Sequence, residues 1–359
     1  MTQINDLFLK SARIRLNQCH LRSIKFLPSP FLFLSPFLLT VFLCVLCGNK
    51  DFQVKDKFAV IGGSGAYNLL KDEGFGVDLE CRKIITPFGE SASIHRFVVG
   101  QGFSLAESSK PEGLPYSFLF ISRHGENGYE VSAPFVNYRA NIWALKECGV
   151  ERIISWSGPG IINKRYSVGD FVIPHDIIDE TKGRDYTFFN GTGIGFIRQS
   201  HPFCTEIRDA VSFALEETGE RYHSEGVYVC TQGPRLETPS EIRKFKLLGG
   251  DLVGMTLVPE AFLARELEIC YASVCYLTNY AEGVEERSYR EGELFEGMQS
   301  NDEREKIDKI ILKFPEIIKG VLKELLQMDR GCPCKNAMGR YKDRGDIGED
   351  WHTWIRTER

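Results

Sequence analysis

No excess of positive charge runs through this chain. Its 359 residues carry 44 Lys/Arg against 49 Asp/Glu, a net charge of −5. That average hides a split. The first 50 residues hold six basic groups (Lys10, Arg13, Arg15, Arg22, Lys25 and Lys50) and one acid, Asp6, whereas the remaining 309 carry a net −10. The main body therefore lacks the uniformly basic surface that nucleic acid binding demands, and no nucleic-acid partner is expected. The chain also lacks an uninterrupted apolar run of the roughly 20 residues that span a bilayer. Its eleven cysteines show no regular spacing, and Cys148, Cys230, Cys270 and Cys275 sit inside apolar runs, where they read as small buried hydrophobes. A disulfide-stapled secreted scaffold is thereby excluded for the body, and a reducing, cytoplasmic setting fits.

The two ends differ from the middle. Residues 31–47 (FLFLSPFLLTVFLCVLC) are uncharged and follow basic residues, the layout of a signal peptide or signal anchor. Pro28, Pro30 and Pro36 interrupt it, no small-x-small cleavage site follows, and a bulky Leu46 precedes Cys47. The methionines are Met1, Met255, Met298, Met328 and Met338, so none marks a second start near residue 55. Two readings of residues 1–56 stay open: a genuine signal or anchor, with membrane contact or export, or a misassigned start. At the other end, residues 329–359 are charged and without apolar periodicity, which predicts a loose tail. Cys332-Pro333-Cys334 lies in it, without the CxxC spacing of a zinc knuckle and with no second pair nearby in sequence, and reads as incidental.

Between these ends, residues 57–328 alternate apolar strands with amphipathic helices. Strands are expected at Lys57–Ile61, Phe118–Ser122, Ile153–Ser157, Phe171–Pro174, Val227–Cys230, Leu252–Gly254 and Cys270–Leu277. Helices are expected at Asn137–Glu147, Glu206–Glu217, Pro259–Glu268 and Asp302–Gln327. Thr238-Pro-Ser-Glu241 has capping-box spacing and opens a further helix running to Leu248. No internal repeat or low-complexity linker appears. The pattern predicts one α/β domain with a mixed β-sheet flanked by helices.

The polar residues fall just after strands: Ser64, Arg123, His124, Ser157, Thr256 and Asn279. Ligands bind at the carboxyl ends of strands in α/β sheets, so these clusters point to one shared site. Gly62-Gly63-Ser64-Gly65 is not a dinucleotide fingerprint, because the third glycine would fall on Asn68, and it is not a Walker A loop, because no Gly-Lys-Ser/Thr follows. Glycine amides and a serine hydroxyl at a strand end form a small anion nest. Arg123 adds a permanently charged donor, and Ser157 and Thr256 add hydroxyls. Together they make a cradle for one free phosphate.

The strings FAVIGGSG, TPFG, SRHG, NYRANIWALKECGV, VGDFVIP, QGPRLET and GMTLVPEAFLARE, collinear over residues 57–328, resemble the purine nucleoside phosphorylase and methylthioadenosine phosphorylase family. The resemblance is strongest to the branch that acts on S-methyl-5′-thioinosine and other 6-oxopurines. It places phosphate binding on Gly63, Ser64, Gly65, Arg123, His124, Ser157, Gly158 and Thr256. Substrate contacts fall on Met255, Leu236, Glu237, Asn279 and Ala281, and Asn279 is the catalytic base-recognition residue. The methylthioadenosine enzymes carry Asp where Asn279 and Ala281 stand here. An Asn amide can donate to O6 or N7, and Glu237 can accept from N1–H, so the pair implies hypoxanthine or guanine over adenine.

The resemblance further implies phosphorolysis. Phosphate attacks C1′ through a transition state of oxocarbenium character and the purine departs, releasing a free base and ribose 1-phosphate or its 5-methylthio counterpart, a purine-salvage reaction. Fixed donors make proximity and electrostatics the main catalytic effects. No cofactor or metal is expected, inorganic phosphate being a co-substrate, and His124 is expected to position phosphate. The segment 282–297 is expected to cap the pocket for the 5′ substituent, which can be hydroxyl or methylthio. A homotrimer is implied. The alternatives are an S-methyl-5′-thioadenosine phosphorylase, or a nucleoside hydrolase or binding protein that does not use phosphate.

Overall fold

Every residue of the runs Phe58–Gly62 (β1), Arg152–Ser157 (β7) and Cys270–Tyr276 (β14) is buried, as expected of central strands covered on both faces. The computed structural model describes residues 56–65, 75–99, 116–288, 292–294 and 298–355. The leader expected over residues 1–56, Asp56 aside, lies outside these. From Asp56 onward the described residues belong to a single compact unit.

The remaining elements follow the expected alternation with small shifts of boundary. Strands are β2 (Val77–Arg82), β3 (Ile85–Thr86), β4 (Gly89–Glu90), β5 (Ile94–Val99), β6 (Tyr116–Ser122), β8 (Gly160–Ile161), β9 (Phe171–Val172), β10 (Asp176–Glu180), β11 (Tyr222–His223), β12 (Val227–Thr231), β13 (Leu252–Gly254) and β15 (Asn279–Tyr280). Helices are α1 (Tyr138–Glu147), α2 (Thr205–Thr218), α3 (Pro239–Leu247), α4 (Leu257–Glu266), α5 (Asn301–Gln327) and α6 (Gly339–Asp343). β2 and β5, absent from the sequence expectation, form the charged margin of the sheet. β2 reads VDLECR and is largely exposed, with Asp78, Glu80 and Arg82 marking it as an edge strand.

The strands form an eight-stranded mixed sheet ordered β11-β9-β14-β7-β1-β6-β5-β2, a five-stranded sheet ordered β10-β12-β13-β8-β15, and the β3-β4 hairpin. One mixed sheet was expected; the second arises because β8 and β15 continue beyond the ends of β7 and β14, where β8 pairs with β13 on one side and with β15 on the other. The centre of the large sheet is parallel: β1 pairs with β6 and β7, and β14 pairs with β7. Their carboxyl ends therefore share one edge of the sheet. Helix α2 packs on α5 and β14, and α1 packs on α4.

Local signals explain several boundaries. Thr238 accepts from the Glu241 amide while Glu241 accepts from the Thr238 amide, so the expected capping box opens α3. Ser300 and Glu303 do the same for α5. α2 stops at Gly219, which adopts φ +69°, a left-handed C-cap that glycine reaches without strain. α4 (LVPEAFLARE) is buried on nearly all sides, including Glu260, Arg265 and Glu266.

The C-terminal segment corrects the expectation of a loose tail. Residues 329–355 fold back onto the body. Cys332, Cys334, Met338, Tyr341, Trp354 and Ile355 join the main core cluster, and the Trp351 ring meets Trp143 of α1 at 4.6 Å. Glu268 accepts from the Met338 amide at 3.0 Å and from Lys342 at 2.7 Å. The segment's charges hide its few aromatic and sulfur anchors, which are too sparse to show a period. No helix among the described residues is long and apolar enough to cross a membrane.

Candidate active site

The strand ends bring the expected residues to one cleft. Gly63 and Ser64 follow β1, His124 follows β6, Ser157 closes β7 with Gly158 beyond it, Leu236 and Glu237 follow β12, Met255 and Thr256 follow β13, and Asn279 and Ala281 lie past β14. All of these line the cleft, joined by Tyr129, Gly160, Tyr228, Val253, Gly254, Glu282 and Met298. A neighbouring hollow of about 250 Å³ shares Leu236, Ala281, Glu282 and Met298 and extends to Tyr280, Glu285, Arg287, Glu293 and Leu294. Part of the expected capping segment 282–297 thus walls it; residues 289–291 and 295–297 are outside the described residues.

Arg123 and Gly65 are the expected residues that do not line the cleft. The Arg123 side chain is fully buried and paired in bidentate fashion with Glu260: Nε donates to Oε1 at 2.5 Å and Nη2 to Oε2 at 2.7 Å. Nη2 also donates to the Ser155 hydroxyl at 2.8 Å. Burial works against the guanidinium charge, but Glu260 outweighs it and holds the group above its ordinary pKa. Nη1 is buried without a hydrogen-bond partner. It lies behind Gly63, where a Cβ would stand 3.2 Å from Nη1 and 2.6 Å from the Trp156 carbonyl oxygen. Only glycine fits there, and its bare backbone lets Nη1 pack directly behind a residue that lines the cleft. Arg123 is therefore not a free fork: its paired face is spent on Glu260 and one nitrogen remains.

Glu260 carries no expected role, yet it sets that geometry, and it also accepts from the Tyr271 hydroxyl at 2.7 Å. A lone acid inside the apolar run Leu257–Ala264 was the available signal, since a buried carboxylate needs a cation. Arg184 gives no such signal in sequence. It ties both walls together by donating to the carbonyls of Thr231 and Gln232 on one side and of Met255 and Val258 on the other.

His124 is held neutral. Its Nδ1 pairs with the Val131 carbonyl at 2.8 Å, so Nδ1 carries the proton and Nε2 is an acceptor. Burial, and next the Arg123 charge, push its pKa down to about 4. Tyr129 stacks on the ring at 4.2 Å. The Ser157 hydroxyl meets Tyr228 at 3.3 Å. Thr256 precedes α4 without a side-chain capping bond, and its hydroxyl lies on the cleft beside the Tyr228 hydroxyl; Val258 is non-helical, so regular helix begins beyond it.

The two base-reading candidates are oriented by threonines. Glu237 is not spent on the helix start. Its Oε1 accepts from Thr231 at 2.5 Å, and burial raises its pKa. Asn279 is buried; its Oδ1 accepts from Thr278 at 2.7 Å and its Nδ2 donates to the Tyr280 carbonyl at 3.0 Å. The second Nδ2 hydrogen faces only the Met298 sulfur at 3.9 Å, a weak acceptor. Asn279 thus has one Nδ2 hydrogen to offer a strong acceptor, while Thr278 already uses one of the two lone pairs of its Oδ1.

The Phosphorylase superfamily profile matches residues 58–314. The probable 6-oxopurine nucleoside phosphorylase of Dictyoglomus turgidum is 40% identical over 291 residues, covering 80% of this chain and 99% of that protein. The probable S-methyl-5′-thioinosine phosphorylase of Methanothermobacter thermautotrophicus is 40% identical over 280 residues, covering 78% and 88%. Among solved structures, a methylthioadenosine phosphorylase from an antarctic soil metagenomic library superposes with a TM-score of 0.65 at 28% identity, covering 79% of this chain and 90% of that one.

Proposed function

The chain belongs to the phosphorylase superfamily, and from that premise we propose the reaction its cleft performs. It is a pentosyltransferase that splits a purine nucleoside with inorganic phosphate. A phosphate oxygen bonds to C1′, the C1′–N9 bond breaks, and its electron pair leaves with the purine, which takes up a proton. The products are the free base and ribose 1-phosphate or 5-methylthioribose 1-phosphate.

The observation that carries this reading is the unpartnered Arg123 Nη1 behind Gly63, at a cleft bearing Ser64, Ser157 and Thr256. A buried guanidinium nitrogen without an acceptor calls for an anion, and the hydroxyls and glycine amides complete a phosphate-sized cradle. Neutral His124, with Nε2 bare, accepts from the protonated oxygen of monohydrogen phosphate and so positions it. A hydrolase would have no use for this cradle. Preorganised donors then hold the nucleophile below the sugar, where proximity and electrostatics lower the barrier.

The base is a 6-oxopurine. Asn279 donates from its less committed Nδ2 hydrogen to O6 or N7, while its Oδ1 is already engaged by Thr278. Glu237 accepts from N1–H through the oxygen Thr231 leaves free. Met255 and Leu236 contact the sugar and base, and Ala281 leaves room beside the ring. The hollow past Leu236 and Met298 accommodates a 5′-hydroxyl or a 5′-methylthio group. Phosphate is the co-substrate and no cofactor takes part. The body works in the cytoplasm, where the eight free cysteines of the described residues stay reduced.

A homotrimer completes the site. Tyr129, Val131 and Phe135, beside His124, expose apolar surface (Phe135 is 75% exposed) that a neighbouring subunit covers. Light scattering on the purified protein tests this through its mass.

The decisive assay measures turnover of inosine, adenosine, 5′-methylthioinosine and 5′-methylthioadenosine with and without phosphate. Phosphate-dependent release of hypoxanthine, with the 6-oxo member of each pair preferred, is the expected result. Equal release without phosphate would overturn phosphorolysis, and preference for the adenine members would overturn the Glu237–Asn279 assignment.

A further inference from the structure

Four cysteines from distant parts of the sequence meet in the core. Cys204 is the N-cap of α2, Cys270 opens β14, and Cys332 and Cys334 come from the C-terminal segment. All four are buried, and their sulfurs lie within 4.8 Å of one another. None is in a disulfide. Cys270 and Cys332 approach to 3.2 Å, well beyond the roughly 2.05 Å of an S–S bond.

We propose that Cys204, Cys270, Cys332 and Cys334 form a structural Zn²⁺ site that fastens the C-terminal segment to the body of the enzyme. Three observations support it. The first is geometric: four thiolates about 2.3 Å from a tetrahedral zinc stand roughly 3.8 Å apart, and this cluster reaches that arrangement with only small adjustments.

The second is electrostatic. Arg330 directs Nε at the Cys270 sulfur at 3.1 Å, and Arg265 directs Nη1 at the Cys334 sulfur at 3.6 Å. Cysteines packed merely as hydrophobes have no need of two guanidinium groups; four thiolates around one divalent ion carry a net −2, which these two arginines balance. Cys204 adds a helix N-terminus, which also favours a thiolate.

The third is architectural. The sequence of residues 329–355 has few apolar anchors, and both of its cysteines go to this one point. A single ion bonded to Cys332 and Cys334 on one side and to Cys204 and Cys270 on the other joins three separated stretches of chain. Soft thiolates select zinc over calcium or magnesium.

The test uses the full chain, purified without a metal-affinity step. Elemental analysis should find about one zinc per chain. The four cysteines should resist a thiol reagent until a chelator is added, and the chelator should lower the melting temperature. Cys332→Ser and Cys334→Ser should each lose at least about nine-tenths of the zinc, whereas Cys148→Ser, outside the cluster, should keep it. Replacement of zinc by Co²⁺ should produce the thiolate-to-cobalt charge-transfer absorption of a tetrahedral sulfur site. Should the cysteine variants fail to fold, the metal content and thiol protection of the unaltered protein decide alone. A metal-free protein with four freely reacting thiols overturns the proposal, as does a mass deficit showing disulfides among these cysteines, or iron in place of zinc.

Discussion

Replacing Glu260 with Gln tests how the phosphate cradle is held. Arg123 and Glu260 are 0% and 1% exposed and meet through two charge-assisted bonds of 2.5 and 2.7 Å. Gln keeps the shape, removes the charge, and turns an amide N–H toward a guanidinium N–H. Removing one partner from a buried ion pair costs about 3–5 kcal/mol, because the other charge stays buried alone. Against a total stability of about 5–15 kcal/mol, that is a large fraction. At roughly 2–4 °C per kcal/mol for a chain of 150–250 residues, and somewhat less for this longer one, the melting temperature should fall by on the order of 10 °C. The freed guanidinium should also swing from its place behind Gly63, so KM for phosphate should rise together with the loss of stability. The double variant Arg123→Met/Glu260→Met separates the two effects. Two apolar side chains of similar volume can restore much of the stability, but no guanidinium then stands behind Gly63, and phosphorolysis should stay at least about a hundredfold down. Melting curves and phosphate-dependent hypoxanthine release read both. If Glu260→Gln melts within about 1 °C of the parent and keeps its KM for phosphate, the pair does not hold the cradle and the reasoning fails.

Three further outcomes are expected. Asn279→Asp should shift the inosine-to-adenosine ratio of kcat/KM toward adenosine by at least about tenfold, the worth of one good hydrogen bond to a reacting base; an unchanged ratio would remove Asn279 from base recognition. His124 has its folded pKa lowered to about 4 from about 6.5, so the unfolded chain binds the extra proton between these values. Stability should therefore fall as pH drops from about 6.5 to about 4, by about 3 kcal/mol from this group. His124→Asn, whose amide can keep the bond to Val131, should flatten that part of a urea-denaturation pH series. Truncation after Met328 should yield insoluble or strongly destabilised protein, since it strips buried Met338, Tyr341, Trp354 and Ile355 from the core at about 1.5–3 kcal/mol per large side chain; a soluble truncated chain melting like the parent would contradict the packed C-terminal segment.

Much of the site was legible in the sequence because its residues follow apolar strands directly. β1, β7 and β14 are continuous buried runs, and a parallel sheet must deliver their carboxyl ends to one edge, so Gly63, Ser64, Ser157 and Asn279 could be grouped without coordinates. The capping box at Thr238 was equally local. What stayed hidden depends on long-range pairing. Arg123 and Glu260 are 137 residues apart, and only their contact reveals that most of the arginine is committed and one nitrogen is left without a partner. The threonines at 231 and 278 orient Glu237 and Asn279 from six residues and one residue away, local contacts that no spacing rule announces.

The C-terminal segment marks the same boundary. Its composition is that of a solvated tail, since charge dominates any average taken over it. Packing depends instead on a few anchors that find complementary partners: Trp351 against Trp143, Met338 and Lys342 on Glu268, Cys332 and Cys334 beside Cys204 and Cys270. Periodicity and strand-end chemistry act over neighbouring residues, and by themselves they determined the α/β body and grouped the residues that follow its strands at one cleft. The pairing of Arg123 with Glu260 and the meeting of Cys204, Cys270 and the C-terminal cysteines were decided by tertiary structure alone, because each joins side chains whose separation along the chain leaves no local trace.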